Sequence, residues 1–324
     1  MEKYSQFRDR GSGIAPFLPV QTPSAGIYAP VYLFLFVFKL PFFLTVSISY
    51  FLFLQWFPLG SLLKKAIDGV KKGSLAKKRE GRVPEPSDII ASSFTSPLDS
   101  LYLAAIFDPI FTVSYPHTRQ VHQISLLGAI FRALQSPKEY PPKGAKMTDL
   151  SALLIRYPGR AIVVFPESTT TNGKGILPVS PSLLTAPSGT KIFPISLRYS
   201  PSDITTPIPG KYWSFFWNLL SKPTHCIKVR IAEVVYNTSK ADGDSAKNTK
   251  YLKNHFNNSN EDTAYTSSTD GLNSNNNFSA ETSPEEQLVL DKVGEALARL
   301  GRVKRVGLTV KDKIAFVDAW NKKR

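Results

Sequence analysis

Cysteine is nearly absent. Cys226 is the only one in 324 residues, which excludes a disulfide-stapled secreted scaffold and any Cys-rich metal site and fits a reducing, cytosol-facing compartment. Histidine is scarce too: His117, His122, His225 and His255 are the full set. Acidic residues are few against basic ones, 25 Asp+Glu facing 40 Lys+Arg for a formal net charge of +15. An anionic partner is therefore expected, with nucleic acid, anionic lipid and phosphate-bearing substrates as the candidates. With 42% hydrophobic and 20% charged residues, the chain as a whole is neither fibrous nor disordered, and no internal repeat is visible.

Charge is also missing locally. Between Ile27 and Pro58 the only charged residue is Lys39, and twelve aromatics crowd the same window. It lies too far from the start for a signal peptide and no small-residue cleavage site follows, so 27–58 reads as a membrane anchor behind a short N-terminal segment, 1–26. Pro41 removes a helix hydrogen bond and kinks the chain. Two apolar arms, Tyr28–Phe38 and Phe42–Phe57, are expected, folded as a re-entrant hairpin in preference to a single span; the second arm is about 24 Å long against about 30 Å of hydrocarbon. A basic juxtamembrane linker, 59–85, follows, where Lys64, Lys65, Lys71, Lys72, Lys77, Lys78, Arg79 and Arg82 face only Asp68, Glu80 and Glu85. That pattern suits anionic headgroups. It does not alternate bases with stacking aromatics, so membrane lipids, not nucleic acid, are the expected partner.

Residues 86–236 read as strands alternating with helices. Strands are expected at Asp88–Ser93, Ile110–Ser114, Arg160–Phe165, Lys191–Tyr199 and Cys226–Val235, with helices at Pro97–Phe107 and Val121–Leu134. The alternation predicts a single α/β domain with a mostly parallel sheet flanked by helices. From 237 to 286 the chain is crowded with Asn, Ser, Thr and Asp and cannot bury enough apolar surface to order itself. It is read as a disordered insertion carrying sequons at Asn237, Asn257 and Asn277. Ser283-Pro284-Glu285-Glu286 is a helix start with a capping box. The tail 287–324 is basic and helical, with Val289, Val293, Leu297 and Leu300 at helical spacing and a second short helix after Thr309; it is expected to dock on the domain and to touch the membrane surface.

Two segments can carry chemistry. Ser96-Pro97-Leu98-Asp99 sits at a strand-to-helix junction. Asp99 either satisfies backbone N–H groups as a capping box or reaches back one turn to orient a general base at position 94. Phe165-Pro166-Glu167-Ser168-Thr169-Thr170-Thr171-Asn172-Gly173 ends an apolar strand with a carboxylate, four hydroxyls and a flexible turn. In a parallel sheet the carboxyl ends of strands are where ligands bind, and such a set suits a polyol phosphate. It also reads as a polar turn capping a buried strand.

Together these blocks resemble the signatures of the glycerolipid acyltransferase family, whose lysophosphatidate type is marked by N-H-x-x-x-x-D and F-P-E-G-T. Phe193-Pro194-Ile195 is similar to a later block, and the opening through Gly13-Ile14-Ala15-Pro16-Phe17 resembles the fungal lysophosphatidic acid:oleoyl-CoA branch. The resemblance covers the N-terminus and roughly 86–236. It implies acylation of a lysophospholipid by acyl-CoA, lysophosphatidate becoming phosphatidate in glycerolipid and triacylglycerol synthesis. Acyl-CoA is then a co-substrate and no other cofactor is implied, and the protein belongs at the endoplasmic reticulum membrane and the lipid droplet. Carried onto this chain, Asp99 and position 94 are the catalytic pair. Thr95, Ser96, Arg132, Glu167, Ser168, Thr169 and Gly173 are the substrate-binding set, and no metal is involved. The family histidine falls on Phe94, the asparagine before it on Ser93, and the block glycine on Ser168. Of the family's G-x-x-F-x-x-R, Gly128 and Phe131 are present, the arginine position is Leu134, and Arg132 stands nearby. His117 or His122 are the candidates for a substitute base. The rival expectation is a catalytically silent acyltransferase-like protein that binds lipid or a partner.

Overall fold

A computed structural model of the protein describes residues 2–20, 26–54, 83–238 and 282–322. The central sheet has eight strands: β1 (Ile89–Ser92), β2 (Ile110–Val113), β3 (Val121–Ile124), β4 (Met147–Thr148), β5 (Ile162–Val164), β7 (Lys191–Ser200), β8 (Cys226–Ile231) and β9 (Val235–Tyr236). The order is β4-β3-β2-β5-β1-β7-β8, with β9 beside the start of β7. The four inner strands β2, β5, β1 and β7 run parallel, and every pairing outside them is antiparallel. The expected parallel α/β sheet is therefore the frame of the molecule. The inner strands are buried on both faces, which is why they read as continuous Ile, Val and Ala runs without alternation.

Neighbouring residues on these strands feed opposite layers. On one face, Ile90, Val163, Phe111, Ile195 and Leu197 pack under α2 (Pro97–Phe107) and α3 (Leu126–Leu134) through Leu103, Phe107, Ala129 and Ala133. On the other, Ile89, Ala91, Ile162, Val164 and Ile192 pack under α4 (Leu150–Arg156), the short turn Pro181–Thr185 and α6 (Pro284–Gly301). α6 is capped as its sequence says: Ser283 Oγ accepts from Glu286 N at 3.3 Å and Glu286 accepts from Ser283 N at 3.0 Å. Yet it is no appendage, because Val289, Leu290, Val293 and Leu297 are fully buried core of the domain. A third cluster joins Phe7 and Phe17 of the N-terminal segment to Leu177, Phe316 and Val317, the last two on α7 (Val310–Asn321). It closes over the carboxyl ends of the parallel strands. The small ladder of β6 (Gly175–Ile176) and β10 (Lys304–Arg305) lies beside it.

Several expectations change. Val121–Leu134 is not one helix. Its first four residues pair with β2 and β4, and Ser125 then caps a shorter helix by accepting from Gly128 N at 3.1 Å. The single strand read over Cys226–Val235 ends at Ile231, and Val235–Tyr236 pairs separately. α5 (Tyr212–Ser221) was not foreseen. Over the described residues the anchor is one helix, α1 (Ala29–Leu54), with Pro41 inside it, so no break follows Phe38; the end of the second expected arm, 55–57, lies outside the described residues. Proline deletes one hydrogen bond in an otherwise strongly helical apolar segment, a defect that membrane helices tolerate. α1 is long and apolar enough to cross a membrane and is barely covered by the domain. It touches α5 through Phe36, which lies 5.1 Å from Trp217 and 5.6 Å from Trp213 between ring centres, and Lys39 Nζ donates to Lys222 O at 2.6 Å and Pro223 O at 3.0 Å.

The basic run Lys64–Arg82 and the sequons at Asn257 and Asn277 lie outside the described residues. Asn237, assigned above to the insertion, belongs to the folded domain. It is fully buried, and its Nδ2 donates to Leu184 O at 3.0 Å and Ala186 O at 2.9 Å. Asn237→Ala leaves two buried carbonyls short of a donor and is expected to cost about 2 kcal/mol in urea unfolding. A variant as stable as the parent would show these bonds to be dispensable.

Candidate active site at the carboxyl edge of the sheet

β1 ends at Ser92, and the chain turns through Ser93, Phe94 and Thr95 into α2. Ser96 is the N-cap, with its side chain accepting from Leu98 N at 3.4 Å, and Pro97 opens the helix with φ already set. Asp99 completes the capping box. Its Oδ2 accepts from Thr95 N at 2.6 Å, Ser96 N at 2.9 Å and Thr95 Oγ1 at 3.2 Å, while Oδ1 accepts from the Tyr199 hydroxyl. Ser96 Oγ also donates to Ile204 O at 2.9 Å. The capping reading of Asp99 is met, and the carboxylate is fully buried. Burial pushes its pKa up to about 6 against the pull of those four donors. Burial, with the Asp99 charge and hydrogen bond behind it, drives the Tyr199 phenol far upward.

Beside β1, β5 ends at Val164 and presents Glu167 two residues after Phe165. Its Oε2 accepts from Leu177 N at 3.0 Å and its Oε1 from Phe94 N at 3.4 Å. The carboxylate thus ties the ends of β5 and β1 to the residue after β6. Burial raises its pKa to about 7, opposed by these two N–H donors; Asp99 adds to the rise and Lys313 opposes it. Ser168 adopts φ +58, the left-handed region that glycine takes without strain, which is the physical reason for a glycine at that place in the family block. Ser168 Oγ lies 3.1 Å from Ser114 Oγ, and Ser114 donates to Phe165 O at 2.6 Å.

The hydroxyl loop is enclosed. Residues Glu167 to Asn172 are all buried. Asn172, read as a turn residue, clasps the N-terminal segment: its Nδ2 donates to Ala15 O and Leu18 O, each at 2.8 Å. Thr171 N donates to Phe94 O at 3.0 Å, and Gly173, at φ +71, lies against Thr95. Thr170 Oγ1 donates to Thr206 O at 2.7 Å. Thr169 makes no side-chain hydrogen bond to any described residue. Thr95, Ser96, Glu167, Ser168 and Gly173 are brought together as expected, but their polar atoms serve the protein.

At position 94, the place of the family histidine, the Phe94 ring is buried and stacked on Phe165, 4.3 Å between centres and 23° between planes, in the cluster with Leu103, Phe107 and Phe111. An apolar ring follows the apolar side of the turn. Arg132 lies on α3 with its guanidinium 5.7 Å from the Tyr115 ring centre and 3.5 Å from Lys138 O, and burial lowers its pKa. His122 lies toward the sheet edge, within 3.2 Å of Lys146 O. His117 follows the end of β2, and its Nε2 is 2.6 Å from Glu139 Oε1, with Lys311 Nζ 3.4 Å from the same oxygen.

Two residues that reach the candidate site escaped the sequence reading. Tyr199 is the last inward residue of β7 on the face that holds Ile195 and Leu197. Lys313 is fully buried on α7, where its Nζ donates to Thr170 O at 2.5 Å and Thr170 Oγ1 at 2.9 Å. Its signal was available: a lone cation at helical spacing between Val310, Phe316 and Val317. Burial pulls its pKa down to about 7, Arg132 adding to the fall and Glu167 opposing it.

An Asp-bearing block after β1 and a Glu-bearing block after β5 thus meet at the carboxyl edge of the parallel strands. Comparison with known proteins makes the likeness particular. The chain is similar to a protein of Schizosaccharomyces pombe named "Putative lysophosphatidic acid:oleoyl-CoA acyltransferase", 27% identical over 256 residues, covering 72% of this chain and 84% of that one. It is also similar to "Lysophosphatidic acid:oleoyl-CoA acyltransferase 1" of Saccharomyces cerevisiae, 30% identical over 191 residues, covering 56% of this chain and 61% of that one. The resemblance read from the blocks is thus to the fungal lysophosphatidic acid:oleoyl-CoA acyltransferases. No protein-family model matches the chain, and no solved structure does.

Proposed function

We propose that the protein transfers an acyl group from acyl-CoA to the free hydroxyl of lysophosphatidate, giving phosphatidate and CoA as a step in glycerolipid and triacylglycerol synthesis. The observation that carries this reading is the pair of buried carboxylates, Asp99 and Glu167, on neighbouring parallel strand ends, in a chain similar to two proteins of that name. The hydroxyl oxygen attacks the thioester carbonyl, the carbon–sulfur bond breaks, and the hydroxyl proton passes through a base to the CoA sulfur. With Phe94 in the histidine position, the base falls to His117, which Glu139 orients at 2.6 Å in the way a carboxylate orients a catalytic imidazole. Arg132 and Lys313 supply positive charge for the phosphates, Asp99 fixes the turn, and Thr95, Ser96, Ser168, Thr169 and Gly173 form the wall against which the glycerol lies. α1 anchors the domain in the endoplasmic reticulum membrane or at the lipid-droplet surface, with the domain facing the cytosol.

A second reading, a silent acyltransferase-like lipid-binding protein, is favoured by one observation: the Phe94 ring is closed against Phe165 where a base would stand. Transfer of radiolabelled oleate from oleoyl-CoA to a panel of lysolipids, by the full chain in detergent, decides between them. On the first reading, lysophosphatidate is the preferred acceptor, and both His117→Ala and Glu139→Gln lower turnover, the former by about a hundredfold. Unchanged turnover in both variants moves the base elsewhere. Absence of transfer by a wild-type protein that still binds oleoyl-CoA selects the silent reading.

A further inference from the structure

Past the carboxyl end of β1, the face of the sheet opposite α2 and α3 holds a cavity of about 290 Å³ near the end of α6. β7 contributes Ser196, Arg198 and Ser200, β8 contributes Lys228 and Arg230, and Arg302 follows α6. Strand alternation puts Arg198 on the face opposite Leu197 and Tyr199. The register sets Arg198 directly across from Lys228, and Ser196 across from Arg230.

Like charges placed directly opposite on antiparallel strands repel, and no carboxylate lines this cavity to relieve them. Arg198 Nη1 donates to Gly301 O at 2.7 Å and Arg230 Nη1 to Leu300 O at 2.8 Å. These bonds occupy the carbonyls at the end of α6, which would otherwise repel an anion. They also fix two guanidinium forks with donors left over. Lys228 and Arg302 carry no side-chain hydrogen bond or ion pair to any described residue. Four cations around a pre-ordered hollow, with hydroxyls at its floor and no internal counter-charge, match a compact multivalent oxyanion.

The position of the cavity bears on the source of that anion. β8 begins four residues after Lys222, whose carbonyl receives Lys39 of α1. Cys226, the first residue of β8, pairs with Ser200 in the cavity wall. The hollow thus stands a few residues along the chain from the docking point of the apolar helix.

We propose that this cavity is a phosphate-binding site separate from the Asp99–Glu167 site, and that its occupant is the phosphomonoester headgroup of an anionic phospholipid. Basic pockets beside membrane helices hold such headgroups. Arg198 and Lys228 lie on the opposite face of the sheet from the Tyr199 side chain that reaches Asp99.

Binding of dihexanoylphosphatidate, dihexanoylphosphatidylcholine and inorganic phosphate to the full chain in detergent tests this, read by calorimetric titration. The double variant Arg198→Gln/Lys228→Gln is expected to bind the phosphatidate about tenfold more weakly than wild type. Lys138→Gln/Lys143→Gln, which removes the same charge from another surface, should stay close to wild type, and phosphatidylcholine should not bind the cavity. Arg198→Lys/Lys228→Arg keeps both charges and should retain binding, which guards against a folding defect in the first variant. Phosphate binding as tight as the lipid's, and lost in the same variant, would keep the site and overturn the lipid as its occupant. Equal affinities in wild type and the Arg198→Gln/Lys228→Gln variant overturn the proposal whatever the protein's turnover.

Discussion

Lys313→Met is expected to stabilise the folded protein at pH 7 by about 2 kcal/mol while lowering its acyl transfer. Lys313 is held fully buried, with a pKa near 7 in place of 10.5. A cation whose pKa falls that far opposes folding by about 4 kcal/mol at neutral pH. Methionine fills similar volume without the charge, and replacing buried ions by apolar groups of like size is often stabilising. The gain is reduced by the loss of two hydrogen bonds to Thr170, at about 1 kcal/mol each, and by a buried carbonyl left short of a donor. Urea unfolding at pH 7 measures the balance. A variant less stable than wild type would mean that the Thr170 contacts outweigh the desolvated charge. Stability sacrificed at a buried cation next to Glu167 is what a functional site looks like energetically. Loss of transfer in a more stable variant would therefore assign Lys313 to the site and not to the scaffold.

The same groups fix the sign of the pH dependence. Asp99 and Glu167 have folded pKa values raised to about 6 and about 7 from 3.8 and 4.5. Between pH 4 and 7 the folded protein therefore keeps protons that the unfolded chain has lost. Their contribution is fully present at the acid end and is lost as pH rises through 6 and 7. Lys313 works the other way. Its folded pKa is depressed, so between pH 7 and 10.5 the unfolded chain holds a proton that the folded protein does not, and stability rises with pH there. These three groups together place a minimum of stability near pH 7. In Lys313→Met the rise on the alkaline side should shrink and the acid side should remain.

The sequence made the parallel sheet legible because its inner strands are buried on both faces and so spell themselves out as apolar runs bounded by turns. Helix starts were legible where a full capping box marks them, as at Ser96 with Asp99, Ser283 with Glu286 and Thr309 with Asp312, but not at Ser125, which caps alone. β3 was missed because its four residues abut an amphipathic helix, and only the tertiary pairing with β2 and β4 separates the two. Pro41 suggested a break because a local rule was applied where a long apolar context overrides it. The chemistry of the blocks was visible in residue type, but the use of each polar atom was not. Asp99 can cap, orient or do both. Glu167 shows its backbone partners, Phe94 N and Leu177 N, only once β6 folds back beside it. Tyr199 and Lys313 reach the site from 100 and 143 residues away from their partners Asp99 and Thr170, and no motif links such positions.

Phe94→His is the substitution that separates an active enzyme from a silent scaffold. The ring now at position 94 stacks on Phe165 at 4.3 Å, a contact worth about 1 kcal/mol beyond its burial. An imidazole there adds a polar ring to the cluster of Leu103, Phe107, Phe111 and Phe165, at a further cost of about 2 kcal/mol. The variant should therefore unfold at lower urea, by about 3 kcal/mol in all. Burial should hold the new imidazole below its usual 6.5, so the added instability grows as pH falls through 6.5 toward the folded value. A neutral imidazole one turn from Asp99 is also what general-base catalysis at pH 7 requires. Placed in the His117→Ala background, Phe94→His should restore turnover by about tenfold or more, with the acid limb of the pH–rate profile shifted to the pKa of the new group. Rescue with that shift shows that the cleft binds both substrates and lacks only its base. If oleoyl-CoA still binds and neither the single nor the double variant transfers oleate, position 94 does not face the thioester. If oleoyl-CoA binding is absent in wild type and variants alike, the enclosed loop from Glu167 to Asn172 is structural, and the protein is a scaffold.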